Sequence, residues 1–244
     1  MTAPLKTLVM DTSTEVVSLA VGNAGQVHTQ TLPGAAQSSA LLIPGCMQLL
    51  DQAGLRLQEL DGFVFGRGPG SFTGLRTACA VTQGFAFAVD KSVLPVDTLL
   101  AVAEQTRLDV QGVDATSTMT VLALLDARMN EMYMALYHWA PQTGWQTRMP
   151  LRVAAQLPDR SALPADTVVS GNAVQVYAER MPEGLRTHVA LPTARAMLSL
   201  APALWAAGEG VSAEHAMPLY IRDKVAQTIV EREAAKAAST GTAA

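Results

Sequence analysis

The sequence predicts an α/β protein whose two halves repeat one order of secondary structure, three strands followed by alternating elements. Two observations support this prediction. In each half, short apolar segments with the length and alternation typical of strands come first, and helical patterns and further strands follow. The chain of 244 residues, 49% of them hydrophobic and 16% charged, is long enough to bury the core of one large or two small domains.

The first half is predicted to form a mixed sheet with helices on its faces. Its predicted elements are strands over 6–12, 16–22, 26–31, 61–66 and 92–96 and helices over 38–53, 73–89 and 98–107. The turn Gly22–Gly25 is typical of a β-hairpin, so the first strands are expected to be antiparallel. Pro44 falls inside the first predicted helix, where an interior proline costs about 3 kcal/mol, and we expect a kink there.

The second half repeats this order after a polar linker. Its predicted elements are a linker over 109–118, strands over 119–126, 131–139, 146–153, 167–170 and 186–190, and helices over 172–180 and 193–207. Two copies of one topology are typical of the duplicated ribonuclease-H-like fold of actin, Hsp70 and sugar kinases (ASKHA), which has two lobes. We therefore expect lobes at 1–108 and 109–225 and a small-residue tail at 226–244 that is partly disordered.

Charge and composition exclude several classes of function. The 17 basic residues are outnumbered by 21 acidic ones, giving a formal net charge of −4, so the chain is not expected to bind RNA by itself. No stretch reaches the ~18 apolar residues of a membrane helix, and the N-terminus does not have the pattern of a signal peptide. With two separated cysteines, Cys46 and Cys79, in apolar segments, we expect free thiols in a cytoplasmic protein without membrane contact.

Two loops are candidates for phosphate binding. Asp11, Thr12 and Ser13 end the first strand, where a carboxylate can hold Mg²⁺ through water and backbone N–H groups can meet phosphate. The same side chains can instead satisfy the backbone of a turn. The loop Gly66–Gly74 precedes a helix, a place that favours anions, but no Lys-Ser/Thr follows its glycines. A tight turn built by the glycines, in which Ser71 or Thr73 caps the helix, is the favoured alternative.

Other patterns favour packing over chemistry. Ala80, Gly84 and Ala88 recur every four residues, a stripe that permits close helix contact with a partner or with the protein's own sheet. The four histidines do not have the spacing of metal ligands, so we expect no metal site and no cofactor. Asp126 and Arg128 near the end of a strand are expected to form an ion pair in a turn or to line a cleft.

Five sequence runs, in order from one end of the chain to the other, resemble the TsaB (YeaZ) family. They are LVMDTSTE at Leu8–Glu15, GRGPGSFTGLRTACAVTQGFA at Gly66–Ala86, PVDTL at Pro95–Leu99, LDARMNEMY at Leu125–Tyr133 and PLYIRDKVA at Pro218–Ala226. One departure is Ser38, which stands where the family often has a histidine at the start of a helix, so a role of that histidine does not carry over.

The resemblance implies an ASKHA fold and a role in forming threonylcarbamoyladenosine next to the anticodon of tRNAs that read codons starting with A. It implies a non-catalytic subunit that pairs with TsaD, the paralogue that transfers the threonylcarbamoyl group, in a complex joined by the ATPase TsaE. tRNA would be met only through that complex, and a homodimer could form without TsaD. Two alternatives, an ATP-dependent phosphotransferase and a glycoprotease-like peptidase, are disfavoured because the chain lacks a second phosphate loop and an activated nucleophile.

The resemblance also points to two helices as the pairing surface. The first is apolar around much of its circumference, more than one sheet-facing stripe requires. The predicted interface residues are Leu41, Leu42, Met47, Leu50, Leu75, Ala80, Gly84 and Ala88.

Overall fold

Two five-stranded mixed sheets stand at the centre of the fold. The computed structural model describes residues 5–23, 25–34, 37–112, 116–181 and 183–221. The first sheet contains β1 (Thr7–Asp11), β2 (Val16–Asn23), β3 (Gln26–Pro33), β4 (Gly62–Gly68) and β5 (Val93–Asp97), in the order β3-β2-β1-β4-β5. Short turns make β1, β2 and β3 antiparallel, whereas helical crossovers make β4 and β5 parallel to β1.

The second sheet has the same topology. It contains β6 (Met119–Asp126), β7 (Met132–Ala140), β8 (Gly144–Ala154), β9 (Val168–Ser170) and β10 (Arg186–His188), in the order β8-β7-β6-β9-β10. Its first three strands are antiparallel, and β9 and β10 are parallel to β6. The predicted duplication, an α/β fold with two mixed-sheet lobes, is confirmed.

Helices cover both sheets and join them. They are α1 (Ser38–Gln52), α2 (Phe72–Val89), α3 (Thr98–Gln111), α4 (Ala173–Val176) and α5 (Ala194–Ala206). The first two pack on the outer face of the first sheet, and α4 packs on the outer face of the second. Between the sheets, α5 packs on the first sheet, α3 packs on the second, and the two helices pack on each other.

A buried ion pair lies in this central layer. The Arg107 guanidinium donates to both carboxylate oxygens of Glu104, at 2.8 and 2.7 Å. Glu104 also accepts hydrogen bonds from Trp145 Nε1 of β8, at 2.9 Å, and from Ser199 Oγ of α5, at 2.6 Å. Since α5 packs on the first sheet and β8 belongs to the second, one buried carboxylate links both lobes.

The helix limits differ from the predicted ones in two places. The helix α3 continues to Gln111, one turn into the predicted linker and across the predicted limit between residues 108 and 109. The predicted helix 172–180 is instead the short α4 followed by a 3₁₀ turn, Ala178–Arg180. The break falls at Tyr177, whose ring is buried and whose hydroxyl donates to Asp126. The lobe limits at 108 and 225 stay predictions, and the predicted tail 226–244 lies outside the described residues.

Two further sequence predictions, on the helix caps and on the cysteines, can be compared with the structure. Ser71 Oγ accepts a hydrogen bond from Gly74 N and caps α2, so the first of the two predicted caps is the one that the structure has. Cys46 and Cys79 are free and buried, and burial raises the pKa of the Cys46 thiol to about 12. Among the described residues, no helix is long and apolar enough to cross a bilayer.

Candidate functional site

The first phosphate-loop candidate is a buried turn whose groups bond to each other. Asp11 ends β1 without solvent exposure, and its Oδ1 accepts hydrogen bonds from Ser13 N, at 3.1 Å, and Ser13 Oγ, at 2.7 Å. Its Oδ2 has no hydrogen-bond partner among the described residues. Desolvation by burial raises the pKa of Asp11 from 3.8 to about 6, although the Ser13 hydrogen bonds act in the opposite direction.

The start of α2 packs directly on this turn. Thr12 Oγ1 donates to Gly74 O at 2.6 Å, and Ser71 N donates to Ser13 O at 2.7 Å. A Cβ on Gly74 would lie 1.8 Å from Thr12 O, so only glycine permits this approach. The two sequence candidates for phosphate binding are therefore brought together, but they use several of their polar groups on each other.

A cleft of about 470 Å³ opens between the lobes above this turn. The first lobe contributes residues 13–15 and 70–73 to its walls, and the second lobe contributes residues 125–129, Tyr133 and Asn172. The cleft lies here because the carboxyl ends of β1, β4, β6 and β9, with the turns that follow them, meet at one edge of the sheets.

The turn after β6 forms the second-lobe wall and has a left-handed backbone. Asp126 accepts hydrogen bonds from the Tyr177 hydroxyl, at 2.7 Å, and from Arg128 N, at 2.8 Å, and forms an ion pair with the Arg128 guanidinium at 3.1 Å. Arg128, Met129 and Asn130 have φ angles of 60°, 53° and 64°, a region that costs most residues about 1–2 kcal/mol each. Both sequence-based alternatives hold: Asp126 and Arg128 form an ion pair and also line the cleft.

The outer surface of α1 and α2 contains only part of the predicted interface. Met47, Ala80, Gly84 and Ala88 are exposed, and Leu41 is partly exposed. The prediction is wrong for Leu42, Leu50 and Leu75, which are 0%, 1% and 2% exposed. These three side chains point to the sheet and fill the core of the first lobe, so they cannot form part of a surface.

Two exposed side chains on the same face were missed. Phe87 of α2 is 82% exposed and Ile43 of α1 is 46% exposed. The helical period could have identified them, because Ile43 lies one turn before Met47, and Phe87 lies one turn after Gly84. Apart from the adjacent residues and the backbone of α2 itself, none of the described heavy atoms lies within 4 Å of a Cβ built on Gly84, so Gly84 faces away from its own sheet.

A segment that the sequence did not predict runs along α2. We call residues 211–221 the C-terminal strap. Val211 forms a bridge with Val93 of β5, with both N···O distances at 2.8 Å. Ala216 O accepts hydrogen bonds from Cys79 Sγ, at 3.3 Å, and from Gln83 Nε2, at 2.9 Å. The strap thus connects the end of the second lobe to the outer helices of the first.

The described residues do not contain a group of three His, Cys, Asp or Glu side chains that could hold a metal ion. His215 lies beside Ser212, with Nδ1 and Oγ 2.7 Å apart. The Glu214 carboxylate approaches the same Nδ1, at 3.6 Å, and all three side chains are on the exposed surface. A carboxylate that orients a catalytic histidine binds the other ring nitrogen, so this arrangement fits side chains that bond to each other on an exposed 3₁₀ turn.

Comparison with known proteins identifies relatives whose descriptions agree with one another. A family model described as "TsaD: tRNA N6-adenosine threonylcarbamoyltransferase" matches residues 32–231. The tRNA threonylcarbamoyladenosine biosynthesis protein TsaB of Escherichia coli is 32% identical over 91% of this chain and 96% of its own length. The TsaB protein of Haemophilus influenzae is 31% identical over 91% of this chain and 95% of its own length. The chain belongs to the TsaB family.

Solved structures agree with this assignment. YeaZ from Pseudomonas aeruginosa superposes with a TM-score of 0.77 at 37% identity, covering 88% of this chain and 98% of its own. A second structure, described as an uncharacterised protein with similarity to peptidase YeaZ from Pseudomonas aeruginosa, has the same TM-score and identity.

Four of the five runs that carry the TsaB resemblance meet at one place in the fold. Leu8–Glu15 contains the buried turn, Gly66–Ala86 contains the loop and most of α2, and Leu125–Tyr133 forms the left-handed turn. The described part of the fifth run, Pro218–Ile221, belongs to the C-terminal strap beside the cleft. The resemblance to TsaB is therefore concentrated around the cleft and along α2.

Proposed function

We propose that the chain is a non-catalytic subunit of the system that makes threonylcarbamoyladenosine in tRNA, and that it binds TsaD through the outer face of α1 and α2. The carrying observation is the exposed apolar face of these helices, formed by Ile43, Met47, Ala80, Gly84 and Phe87. Contiguous exposed apolar area of this kind marks a binding surface on many soluble proteins.

The shape of the face fits a helical partner. Ala80, Gly84 and Ala88 form an exposed stripe of small residues, so another helix can approach α2 closely. Met47 and Phe87, 48% and 82% exposed, offer large side chains for the pockets of a partner. Because the face contains both small and large side chains, two copies of it could pack against each other. The same face would therefore support a homodimer when TsaD is missing.

The interior of the molecule supports a role without catalysis. The turn at Asp11 and the loop at Ser71 direct polar groups to each other. The net charge of −4 disfavours tRNA binding by this subunit alone, because phosphate contacts supply most non-specific affinity. In this proposal TsaD carries the transferase site, TsaE joins the pair, and tRNA is bound by the assembly.

The test is a TsaD pull-down with the full chain carrying Gly84→Arg. Because a side chain at position 84 enters open space and arginine favours a helix more than glycine does, the variant should melt at or slightly above the wild-type temperature. A charge buried without a partner in the contact costs several kcal/mol, so TsaD binding should weaken by about a hundredfold or more.

The matched control is Val176→Arg, which places the same side chain on α4 of the other lobe at a residue that is 52% exposed. It should melt and bind TsaD as the wild type does. A folded Gly84→Arg chain that retains wild-type affinity for TsaD would rule out this face.

The alternatives predict turnover by the chain alone. Purified protein free of TsaD should neither cleave peptides nor transfer phosphoryl or threonylcarbamoyl groups. Among the described residues, the Thr120–His138 and Ser212–His215 pairs do not have a carboxylate hydrogen-bonded to the second ring nitrogen of the histidine, and the histidine that a carboxylate contacts, His188 with Asp109, has no hydroxyl bonded to it. Turnover that one point change in this chain abolishes would instead establish an enzyme.

A further inference from the structure

The C-terminal strap forms one wall of a groove along α2. The groove has a volume of about 300 Å³ and lies between α2 and the 3₁₀ turn Ala213–His215 of the strap. We call it the strap groove, and its lining residues are Gln83, Gly84, Phe87, Ala213 and Glu214. Since Gly84 and Phe87 also belong to the outer face of α1 and α2, the strap groove is part of the surface proposed above for TsaD.

The strap wall is attached to the first lobe on both sides of Glu214. Before it in the chain, the bridge between Val211 and Val93 has N···O distances of 2.8 Å. After it, Ala216 O accepts two hydrogen bonds from side chains of α2, at 3.3 and 2.9 Å. Glu214 is therefore held beside α2 before a partner binds, which lowers the entropy cost of using it in a contact.

The strap groove combines an exposed aromatic ring with a carboxylate. Phe87 is 82% exposed and the Glu214 side chain is 75% exposed. Glu214 is the charged residue of the lining, and its contacts with Ser212 Oγ, at 3.4 Å, and His215 Nδ1, at 3.6 Å, are long and both involve Oε1. A partner that covered this carboxylate with apolar atoms alone would leave a buried charge without a counterion, which is unfavourable. The partner must therefore supply a cation.

Arginine is the side chain that fits both groups. Its planar guanidinium can stack on an aromatic ring while it donates to a carboxylate, which the compact ammonium of lysine does less well. The chain binds its own arginines in this way: Arg107 donates to Glu104 and lies 4.6 Å from the Trp139 ring centroid. Similarly, the Arg76 guanidinium lies 3.8 Å from the Phe72 centroid.

We propose that the strap groove binds an arginine side chain of TsaD, stacked on Phe87 and paired with Glu214. The inference rests on the proposed function, because it requires TsaD to cover the outer face of α1 and α2. It adds the chemistry by which that face distinguishes partners. The apolar residues of the face supply contact area, and the strap groove favours a partner that has a guanidinium at this position.

Charge reversal in the full chain tests the pairing. Glu214→Lys should weaken TsaD binding by about tenfold or more in titration calorimetry, because two cations would meet in the groove. Its melting temperature should equal that of the wild type, since the replaced side chain is 75% exposed. The matched control, Glu179→Lys, changes a glutamate that is 71% exposed on a 3₁₀ turn of the second lobe, and it should bind TsaD normally. Wild-type affinity of Glu214→Lys would overturn the proposal.

A double-mutant cycle tests whether the ring and the carboxylate bind one cation. Phe87→Leu keeps an apolar side chain and Glu214→Gln keeps a polar one, and each should weaken TsaD binding by about two- to fivefold. Because both changes remove contacts with the same guanidinium, the double variant should lose less affinity than the product of the two factors. A loss equal to that product would show that Phe87 and Glu214 do not share a ligand.

A further variant separates this inference from the proposed function. Met47→Lys changes an exposed residue of α1 on the same face but outside the strap groove. Loss of TsaD binding in Met47→Lys with wild-type affinity in Glu214→Lys would refute the arginine site alone. Wild-type affinity in both variants would refute the proposed face and the inference with it. If Glu214→Lys weakened only self-association, measured by sedimentation, the occupant would be a second copy of this chain and the proposal would be wrong.

Discussion

The two lobes have sheets of one topology but outer layers of very different size. Two helices of 15 and 18 residues cover the outer face of the first sheet, whereas a four-residue helix and 3₁₀ turns cover the corresponding face of the second. Both lobes therefore keep the same strand pairing. Only the first lobe, for which we propose a partner, has long helices on its outer face. The difference teaches that the duplicated fold has diverged on its outside and kept its centre.

The turns that face the cleft show the same divergence at the level of single groups. Asp11 and Asp126 occupy equivalent positions, at the ends of β1 and β6. Asp11 is fully buried and one of its oxygens has no partner among the described residues, while Asp126 is bonded by Tyr177 and Arg128. The two carboxylates therefore differ in their burial and in their hydrogen-bond partners. The differences between the lobes can be measured in variants of single residues.

The largest expected effect concerns the contact between the lobes. Arg107→Met should lower the free energy of unfolding by about 3–5 kcal/mol, because it leaves the Glu104 carboxylate buried without its cation. Denaturant titration of the full chain measures this loss. Arg56→Met, in the exposed pair with Glu59, should leave the denaturation midpoint unchanged. Equal effects of the two changes would show that the buried pair does not hold the lobes together.

The next effect compares two glycines at equivalent close approaches. A Cβ would lie 1.8 Å from Thr12 O at Gly74 and 1.7 Å from Leu124 O at Gly171. Gly74→Ala and Gly171→Ala should each cost about 3 kcal/mol or more of stability, since backbone must move in both lobes. Gly84→Ala, in an exposed helix, should instead stabilise by up to about 1 kcal/mol. If only one of the first two variants is destabilised, the lobes do not share this constraint.

The smallest effect separates the two aspartates. The pKa of Asp11 is raised to about 6 in the folded protein, so its contribution to stability is lost as the pH rises through that value. Asp11→Asn should therefore stabilise the protein by roughly 2–3 kcal/mol at about pH 7.5 and have almost no effect at about pH 4.

Asp126→Asn is the matched comparison. It removes an ion pair with a guanidinium that is 87% exposed, so it should cost no more than about 1 kcal/mol near neutral pH. Unfolding curves of both variants at the two pH values provide the measurement. A loss of stability in Asp11→Asn at neutral pH would mean that the Asp11 carboxylate has a favourable partner there.

Local sequence patterns predicted most of the strands and helices because their signals are local. Alternation and short turns placed β1, β2 and β3, and a serine followed by an apolar helical run placed α2. The predictions that failed concern places where contacts with residues far away in the sequence determine the local structure. The predicted helix 172–180 breaks at Tyr177, whose hydroxyl donates to Asp126, 51 residues away in the chain.

The sequence alone determined the α/β class, the order of elements, the duplication and the membership in the TsaB family, since these depend on periodicity and on runs of adjacent residues. Only the tertiary structure decided which apolar residues of α1 and α2 are exposed, that the Asp11 turn meets the Gly66–Gly74 loop, and that the C-terminal strap ends at the cleft. The physical reason is that exposure and contact depend on the packing of segments far apart in sequence. Leu42 and Met47 lie on one apolar helix, yet the sheet covers only the first.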